Sequence, residues 1–142
     1  IGLVGSEMCI RDSSNVGLGV DHSMAHTLSA YYDTPHGKAC AILLPTVMAY
    51  NAEYTGEKYK DIAKAMGVKG VDEMSIEDAR KAAVDAVRTL GKDVGIPDDL
   101  KAIVKDEDVD FLAQSAYDDA CRPGNPKDTS VEEIKALYRS LM

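Results

Sequence analysis

The strongest constraint on the fold of this chain is a series of helix-start and helix-stop signals with almost no strand pattern between them. Ser75-Ile-Glu-Asp78 has the spacing of a capping box, and apolar residues follow it at helical intervals until Gly95 interrupts them. Ser130 and Glu133 repeat this start signal near the C-terminus. The sequence therefore predicts an all-α domain.

Besides the long helix between Ser75 and Gly95, the periodicity predicts five helices. They cover residues 20–32, 38–51, 57–66, 109–120 and 131–141. Helix 38–51 is apolar nearly all round, which predicts burial, and Pro45 predicts a kink or break in it. Thr55 is a possible cap for helix 57–66. The predicted apolar positions are Ala79, Ala82, Ala83, Ala86, Val87 and Leu90 in the long helix, and Phe111, Leu112 and Ala116 in helix 109–120.

Composition limits the classes of protein to which the chain can belong. With 142 residues and 45% hydrophobic content, one domain buries roughly two-thirds of its unfolded surface, which is enough for an independent core. The net charge of −8 argues against nucleic acid or an anionic membrane as a partner, because both require a basic face. No stretch reaches the ~18 apolar residues of a spanning helix, and residues 1–10 lack the features of a signal peptide. We therefore expect a cytoplasmic protein.

The cysteines are predicted to be reduced thiols, and the two acidic clusters are predicted to be surface. Cys9, Cys40 and Cys121 are odd in number and irregularly spaced, which is typical of reduced thiols. Cys40 lies in an apolar stretch and is predicted to be a small core residue, whereas Cys121 lies at a predicted helix end and could face a cleft. The clusters 106–108 and 118–119 lack the glycine and distal glutamate of calcium loops and are predicted to be surface.

His22, His26 and His36 are the three histidines of the chain, and all fall within fifteen residues of one another. His22 and His26 are one helical turn apart, so they share a face and are separated by a rise of roughly 6 Å. Pro35 disfavours helical geometry at the preceding residue, so the chain is expected to turn there and bring His36 back towards that face. Three imidazoles could then converge on a metal or a proton-transfer site. Ordinary surface or core histidines have the same spacing, which leaves both interpretations open.

A longer pattern surrounds these histidines. The segment Gly17-Leu-Gly-Val-Asp-His-Ser-Met-Ala-His26, followed by Thr34-Pro-His-Gly37 and Ala41-Ile-Leu-Leu-Pro45, resembles the second signature of the iron-containing alcohol dehydrogenases. The resemblance extends over residues 14–142 and is greatest to the lactaldehyde reductase (propanediol oxidoreductase) branch. The segments that carry the branch resemblance are 51–63, 93–97, 120–126 and 134–138.

The resemblance implies a two-domain enzyme with a dehydroquinate synthase-like architecture. In such an enzyme an N-terminal α/β half holds the nicotinamide cofactor, and a C-terminal helical half carries most of the metal site. We expect residues 14–142 to be the helical half, because Gly17-Leu-Gly19 and Pro123-Gly-Asn-Pro126 lack a preceding strand and are predicted turns, not a dinucleotide fingerprint. No residue for binding NAD(H) is therefore assigned. The implied full-length protein is a homodimer that interconverts a small aldehyde and its alcohol.

The resemblance also implies roles for individual residues. His22 and His36 match two ligands of the metal, most simply Fe²⁺, whose other ligands are an Asp and a His from the upstream domain. His26 matches a histidine that lines the substrate pocket, and it is the candidate for proton relay. Cys121 matches a position near the substrate end of that pocket. Thr27 and Ser29 stand where the branch often has Pro and Gly, which leaves the substrate range open.

The first thirteen residues are predicted to be foreign to the domain. Glu7-Met-Cys-Ile-Arg-Asp-Ser13 is the translation of a transposase adapter used in DNA library preparation, so residues 1–13 are interpreted as a non-native segment. The alternative is a genuine strand over residues 1–4 followed by a loop.

Two other functional classes remain as alternatives. The first is a zinc-dependent relative on the same scaffold, similar to glycerol dehydrogenase. The second is a non-enzymatic helical interaction domain whose adaptable surface is built from methionines. The methionines in question are Met24, Met48, Met66 and Met74.

Overall fold

The computed structural model describes residues 18–142, and this part of the chain contains helices and turns without a β-strand. The prediction of an all-α domain is therefore confirmed. The helices are α1 (Val20–Tyr32), α2 (His36–Asn51), α3 (Lys58–Ala65), α4 (Ile76–Asp93), α5 (Val109–Asp118) and α6 (Val131–Ser140). Both interpretations of residues 1–13, as a foreign segment and as a strand, lie outside the described residues. None of the described helices is long and apolar enough to cross a membrane.

The main hydrophobic core is formed by α1, α2, α5 and α6, with Leu100 and Val104 from the connection between α4 and α5. Helix α1 buries Met24 and Leu28 completely, and each such side chain contributes about 1.5–3 kcal/mol through apolar burial. Tyr138 of α6 is also fully buried, and its hydroxyl lies 2.6 Å from Thr27 Oγ1 and donates to the Met24 carbonyl at 3.0 Å. A buried phenol needs such partners, so these bonds fix α6 against α1.

A second, smaller core lies between α3 and α4. It consists of Tyr59, Ala63, Val71, Ala79, Ala83 and Val84. Met48 of α2 packs against this cluster, and the Tyr59 hydroxyl donates to the Met48 carbonyl at 2.8 Å. Helix α2 therefore joins the two cores.

Three predictions about α2 need correction. The helix begins at His36 and not at residue 38, because Pro35 at the N-cap leads directly into the first turn with φ −53°. Pro45 does not break the helix, which continues to Asn51, although the ring nitrogen has no hydrogen to donate to the Ala41 carbonyl. The helix is also not buried all round, since Leu44 is exposed.

Two details of α3 and α4 also differ from prediction. Thr55 does not cap α3, because its hydroxyl donates to the Ala52 carbonyl. In α4, Ala79 and Ala83 are buried as expected, but Leu90 is 50% exposed. The reason is length, since the 8 residues of α3 extend about 12 Å and the 18 residues of α4 about 27 Å. Helix α3 therefore covers only part of α4.

A loop between α5 and α6 hydrogen-bonds to the N-terminus of α1 and helps to fix its position. The Asn125 amide exchanges two hydrogen bonds of 2.8 Å with the amide of Asn51, and its Oδ1 also accepts from the Val20 N–H at 3.4 Å. Gly19, the N-cap of α1, provides no side-chain cap, and a Cβ at this position would lie 2.9 Å from Asn125 Oδ1. Glycine therefore permits the close approach by which a side chain distant in sequence takes the place of a local cap.

The last helix begins with the predicted capping box. Ser130 Oγ accepts from the Glu133 N–H at 3.3 Å, and Glu133 Oε2 accepts from the Ser130 N–H at 2.9 Å. Lys127 Nζ lies 2.9 Å from the other carboxylate oxygen. The Ser130 backbone bond and Lys127 together lower the pKa of Glu133 to about 2 from its ordinary 4.5.

We expect Glu133→Gln to lower the free energy of unfolding by about 1 kcal/mol at neutral pH, a value limited by solvent screening of the Lys127 pair. Because the folded-state pKa is depressed, this contribution is present above pH about 4.5 and is lost as the pH falls towards about 2. Urea unfolding from pH 6 downward measures the difference. The control is Glu132→Gln, which removes a charge from the same turn without touching the cap. A difference that stays constant with pH, or that the control reproduces, would contradict the assignment.

Candidate metal centre

The structure brings the three histidine rings together. Helix α1 presents His22 and His26 one turn apart, with ring centroids separated by 6.3 Å. The chain then reverses through Asp33, which adopts a left-handed conformation with φ 54°. His36, the first residue of α2, consequently lies 5.4 Å from the His22 ring and 5.2 Å from the His26 ring. The three rings therefore lie within 6.3 Å of one another. Their roles as metal ligands and as a proton relay stay predictions.

One group of potential metal ligands consists of His22, His36 and Cys40, whose ligand atoms all lie within 4.8 Å of one another. Cys40 Sγ is 3.5 Å from His36 Nε2. The prediction that Cys40 is simply a core residue is therefore incomplete, because the side chain packs partly against the main core and also faces the histidines. The four-residue spacing from His36 was the sequence signal for this contact.

The surroundings of this group disfavour charge on the protein side chains. Burial raises the pKa of Asp21 to about 7, although a hydrogen bond with Cys40 acts in the opposite direction. Burial, together with the neighbouring Asp21, raises the pKa of the Cys40 thiol to about 12. Burial, followed by the nearby His36 and His26, lowers the pKa of His22. A cation among these groups would favour the ionised forms of Asp21 and Cys40, against the effect of burial, and would favour neutral imidazole at His22, as burial already does.

The buried carboxylate of Asp21 is further evidence that this site is polar. Its Oδ1 is buried and has no hydrogen-bond partner among the described residues, and its Oδ2 lies 3.8 Å from His22 Nδ1. Buried carboxylate oxygens normally have partners, so this orphan atom points to an environment that is completed by another group. The donor set therefore fits a metal ion.

A second group consists of His26, Asp119 and Cys121, whose ligand atoms are also within 4.8 Å of one another. His26 Nδ1 lies 3.0 Å from Asp119 Oδ2, and Asp119 Oδ1 accepts from the Cys121 N–H at 2.7 Å. Burial acts to raise the pKa of Asp119, but the hydrogen bonds from Cys121 and His26 outweigh it and the pKa lies below its ordinary value. An ionised carboxylate can only accept, so a hydrogen bond at this distance requires a proton on His26 Nδ1.

Asp119 corrects the prediction that cluster 118–119 is simply surface. The sequence gives no signal for the contact with His26, because the two residues are 93 positions apart. Cluster 106–108 lies at the surface as predicted, with Asp106 and Glu107 exposed, and Asp108 also accepts hydrogen bonds from Tyr31 at 3.3 Å and from Tyr32 at 2.6 Å.

An open recess of about 380 Å³ borders His26 and Asp119. Tyr31 and Phe111 form its aromatic side, with ring centroids 5.3 Å apart. The prediction placed Phe111 among the apolar residues of its helix, but the ring is 57% exposed while Leu112 and Ala116 are buried. An aromatic surface beside His26 thus remains accessible among the described residues.

Comparison with known proteins agrees with the geometry. The model of the Fe-containing alcohol dehydrogenase family, C-terminal, matches residues 4–142. Lactaldehyde reductase of Escherichia coli K12 is 59% identical over 128 residues, a match that covers 89% of this chain and 33% of that protein. The 1,3-propanediol dehydrogenase of Klebsiella pneumoniae is 40% identical over 127 residues, with the same coverage of 89% and 33%. A crystal structure of 1,3-propanediol oxidoreductase superposes with a TM-score of 0.84 at 40% identity and covers 88% of this chain and 33% of that one.

The chain belongs to the iron-containing alcohol dehydrogenase family, and it matches the C-terminal domain of that family. The resemblance to the lactaldehyde reductase branch is confirmed. The chain spans about a third of the length of the curated relatives that it matches. The interpretation of residues 1–13 as foreign stays a prediction.

We expect Asp119→Asn to release His26 from a single tautomer, because an amide can donate as well as accept. In the metal-free chain, long-range ¹⁵N–¹H spectra of the imidazoles should show Nδ1 protonated in the wild type and a mixture in the variant. Asp118→Asn is the matched control, since within residues 18–142 the Asp118 side chain accepts a hydrogen bond from Gln114 across an exposed helical turn. An unprotonated Nδ1 in wild-type His26 near neutral pH would contradict this prediction.

Proposed function

We propose that this chain is the C-terminal, metal- and substrate-binding part of an NAD-dependent, iron-containing alcohol dehydrogenase. Its reaction is the interconversion of a small aldehyde such as lactaldehyde and the corresponding alcohol by hydride transfer. The observation that carries the proposal is the placement of His22 and His36 next to a histidine that Asp119 orients. Membership of the family and the 59% identity to lactaldehyde reductase support it.

His22 and His36 are the ligands that this chain would offer to the metal. Their imidazole nitrogens suit Fe²⁺ and Zn²⁺ alike, and the family description favours iron. The bound metal supplies Lewis acidity to the oxygen of the substrate. The proposal assigns the remaining ligands, an Asp and a His, to an upstream domain that also holds NAD(H).

We propose that His26 accepts the proton of the substrate hydroxyl in one direction of the reaction and returns it in the other. In the direction of alcohol oxidation, its free Nε2 accepts the hydroxyl proton while Asp119 stabilises the resulting imidazolium through Nδ1. In aldehyde reduction the same atom returns the proton. We propose that Cys121, whose backbone N–H donates to Asp119, lies towards the substrate end of the pocket, as the family resemblance implies.

The positions of the methionines do not support the alternative of a non-enzymatic helical interaction domain. Met24 is fully buried in the main core, and Met48 and Met74 pack against the second core. Of the four methionines, Met66 alone is exposed, at 36%, so the other three fill space between helices and the set does not form an adaptable surface.

In the full-length enzyme, His22→Ala and His36→Ala should abolish activity and lower metal occupancy, because each removes a direct ligand. His26→Ala should lower kcat by about 10²–10⁴-fold with the metal retained, since a relay group contributes in that range. Metal analysis by mass spectrometry and steady-state kinetics measure the two effects separately. Metal loss in the His26 variant with retention in the other two would reverse the assigned roles.

The 142-residue chain by itself should be catalytically silent, because it lacks a dinucleotide-binding element among its described residues and the upstream ligands. Aldehyde reduction with NADH in the presence of Fe²⁺ tests this expectation, and calorimetry measures the affinity for iron. The matched comparison is the full-length enzyme at equal concentration. Turnover together with micromolar iron affinity would show that the chain completes its site from Asp21, Asp33 or a second copy of itself.

A further inference from the structure

We infer that His26, Asp119 and Cys121 form a second, inhibitory cation site, which binds a thiophilic divalent cation such as Zn²⁺ and thereby blocks proton transfer. This site is separate from the metal centre at His22 and His36, whose ligands it leaves unchanged. The inference rests on the proposed function at one point, the role of His26 as the proton acceptor. It goes beyond that function because it gives the proton-transfer group a means of regulation.

The three residues offer ligand types that zinc prefers, namely an imidazole, a carboxylate and a thiol. Their ligand atoms all lie within 4.8 Å of one another. His26 Nδ1 and Asp119 Oδ2 are 3.0 Å apart, whereas two such ligands of tetrahedral Zn²⁺ are about 3.3–3.5 Å apart. A small rotation of the two side chains, which opens this distance by about 0.3–0.5 Å, therefore converts a hydrogen bond into a pair of ligands.

A tight turn after α5 holds the carboxylate and the thiol of this site. Asp119 adopts extended backbone geometry at the end of α5, and its Oδ1 accepts from the Cys121 N–H at 2.7 Å. The Cys121 thiol is also hydrogen-bonded to the Asp119 carboxylate. Because the backbone anchors Oδ1, Oδ2 is the oxygen that faces His26. The turn therefore presents two ligands to the imidazole from a single short segment.

The site is accessible and carries a negative charge. The side chains of His26 and Asp119 are 42% and 22% exposed, and both border the open recess of about 380 Å³. Asp119 is ionised at neutral pH, since its pKa lies below its ordinary value, and Arg122 is bonded instead to the Tyr117 carbonyl at 2.7 Å. A hydrated cation can therefore reach the three ligands and keep a water molecule in the fourth tetrahedral position.

Binding at this site blocks the reaction through the tautomer of His26. A cation on Nδ1 requires that nitrogen to be free of hydrogen, so the ring proton moves to Nε2. In the proposed function Nε2 accepts the proton of the substrate hydroxyl, and a protonated Nε2 has no lone pair for it. At Cys121 the S–H bond breaks, a metal–sulfur bond forms and one proton passes to solvent.

Cobalt distinguishes a cation site from a simple hydrogen-bond network, because Co²⁺ gives a sulfur-to-metal charge-transfer absorption only when a thiolate is bound. The experiment titrates Co²⁺ into the 142-residue chain under reducing, anaerobic conditions. All proteins carry His22→Ala and His36→Ala, which remove the first centre, and Cys9→Ser, which removes the thiol outside the described residues. Circular dichroism verifies that each variant keeps its helical content.

We expect one Co²⁺ per chain, with a charge-transfer band that Zn²⁺ removes by competition and Mg²⁺ does not. Cys121→Ser and His26→Ala should abolish the band, and Asp119→Asn should weaken binding by more than about 10-fold. Cys40→Ser is the matched control and should retain both the band and the affinity. No Co²⁺ binding, or a band that follows Cys40 instead of Cys121, would overturn the inference.

A measurement that keeps His22 and His36 avoids dependence on the folding of the variants. Iodoacetamide alkylation followed by peptide mass spectrometry reports the reactivity of Cys121 with and without Zn²⁺. We expect Zn²⁺ to slow this alkylation by more than about 10-fold in the wild-type chain, because a coordinated thiol is no longer a free nucleophile. Protection that is absent, or that persists in His26→Ala, would contradict the inference.

Inhibition is measured on the full-length enzyme loaded with Fe²⁺. We expect added Zn²⁺ to lower kcat while the iron content stays constant, and Cys121→Ser to raise the Zn²⁺ concentration for half-inhibition by more than about 10-fold relative to its own activity without Zn²⁺. Inhibition that accompanies loss of iron and is equal in both proteins would overturn the inference alone. Zn²⁺ binding at Cys121 without inhibition would instead contradict the role that the proposed function gives to His26.

Discussion

The paired amides of Asn51 and Asn125 determine how the ends of three segments meet. Asn51 ends α2, Asn125 lies in the loop before α6, and the Oδ1 of Asn125 also receives the N–H of Val20 at the start of α1. Two reciprocal bonds between amides are directional, so they fix position as well as distance. The first turn of α1 carries the first histidine, and its placement relative to α2 therefore depends on this bridge.

Helix α1 carries both a candidate metal ligand, His22, and a candidate proton-transfer residue, His26. Residues four apart on a helix are rotated by about 40° from each other, so His22 and His26 share a face, and the ring of His36 lies within 5.4 Å of both. His22 is directed to the start of α2, where His36 and Cys40 lie, whereas His26 meets Asp119 after α5. A group suited to a cation and a group suited to a proton thus lie next to each other without sharing ligands.

Local features of this fold could be predicted from the sequence, because they depend on neighbours within a turn. The caps at Ser75 and Ser130 and the grouping of the histidines belong to this class. The contact of Asp119 with His26 could not be predicted, since it depends on how α5 packs against α1. The exposure of Leu90 likewise follows from the short length of α3, which is a property of the assembled helices.

The long separation of these contacts in sequence has a consequence for the order of folding. The partners of Val20, His26 and Thr27 are 105, 93 and 111 residues further along the chain. At about 5–20 residues per second, a ribosome presents α1 for several seconds before those partners exist. During that interval α1 has no access to these partners. The contacts that hold α1 against α6 and orient His26 therefore form only in the last stage of synthesis, after the local grouping of His22 with His36 has become possible.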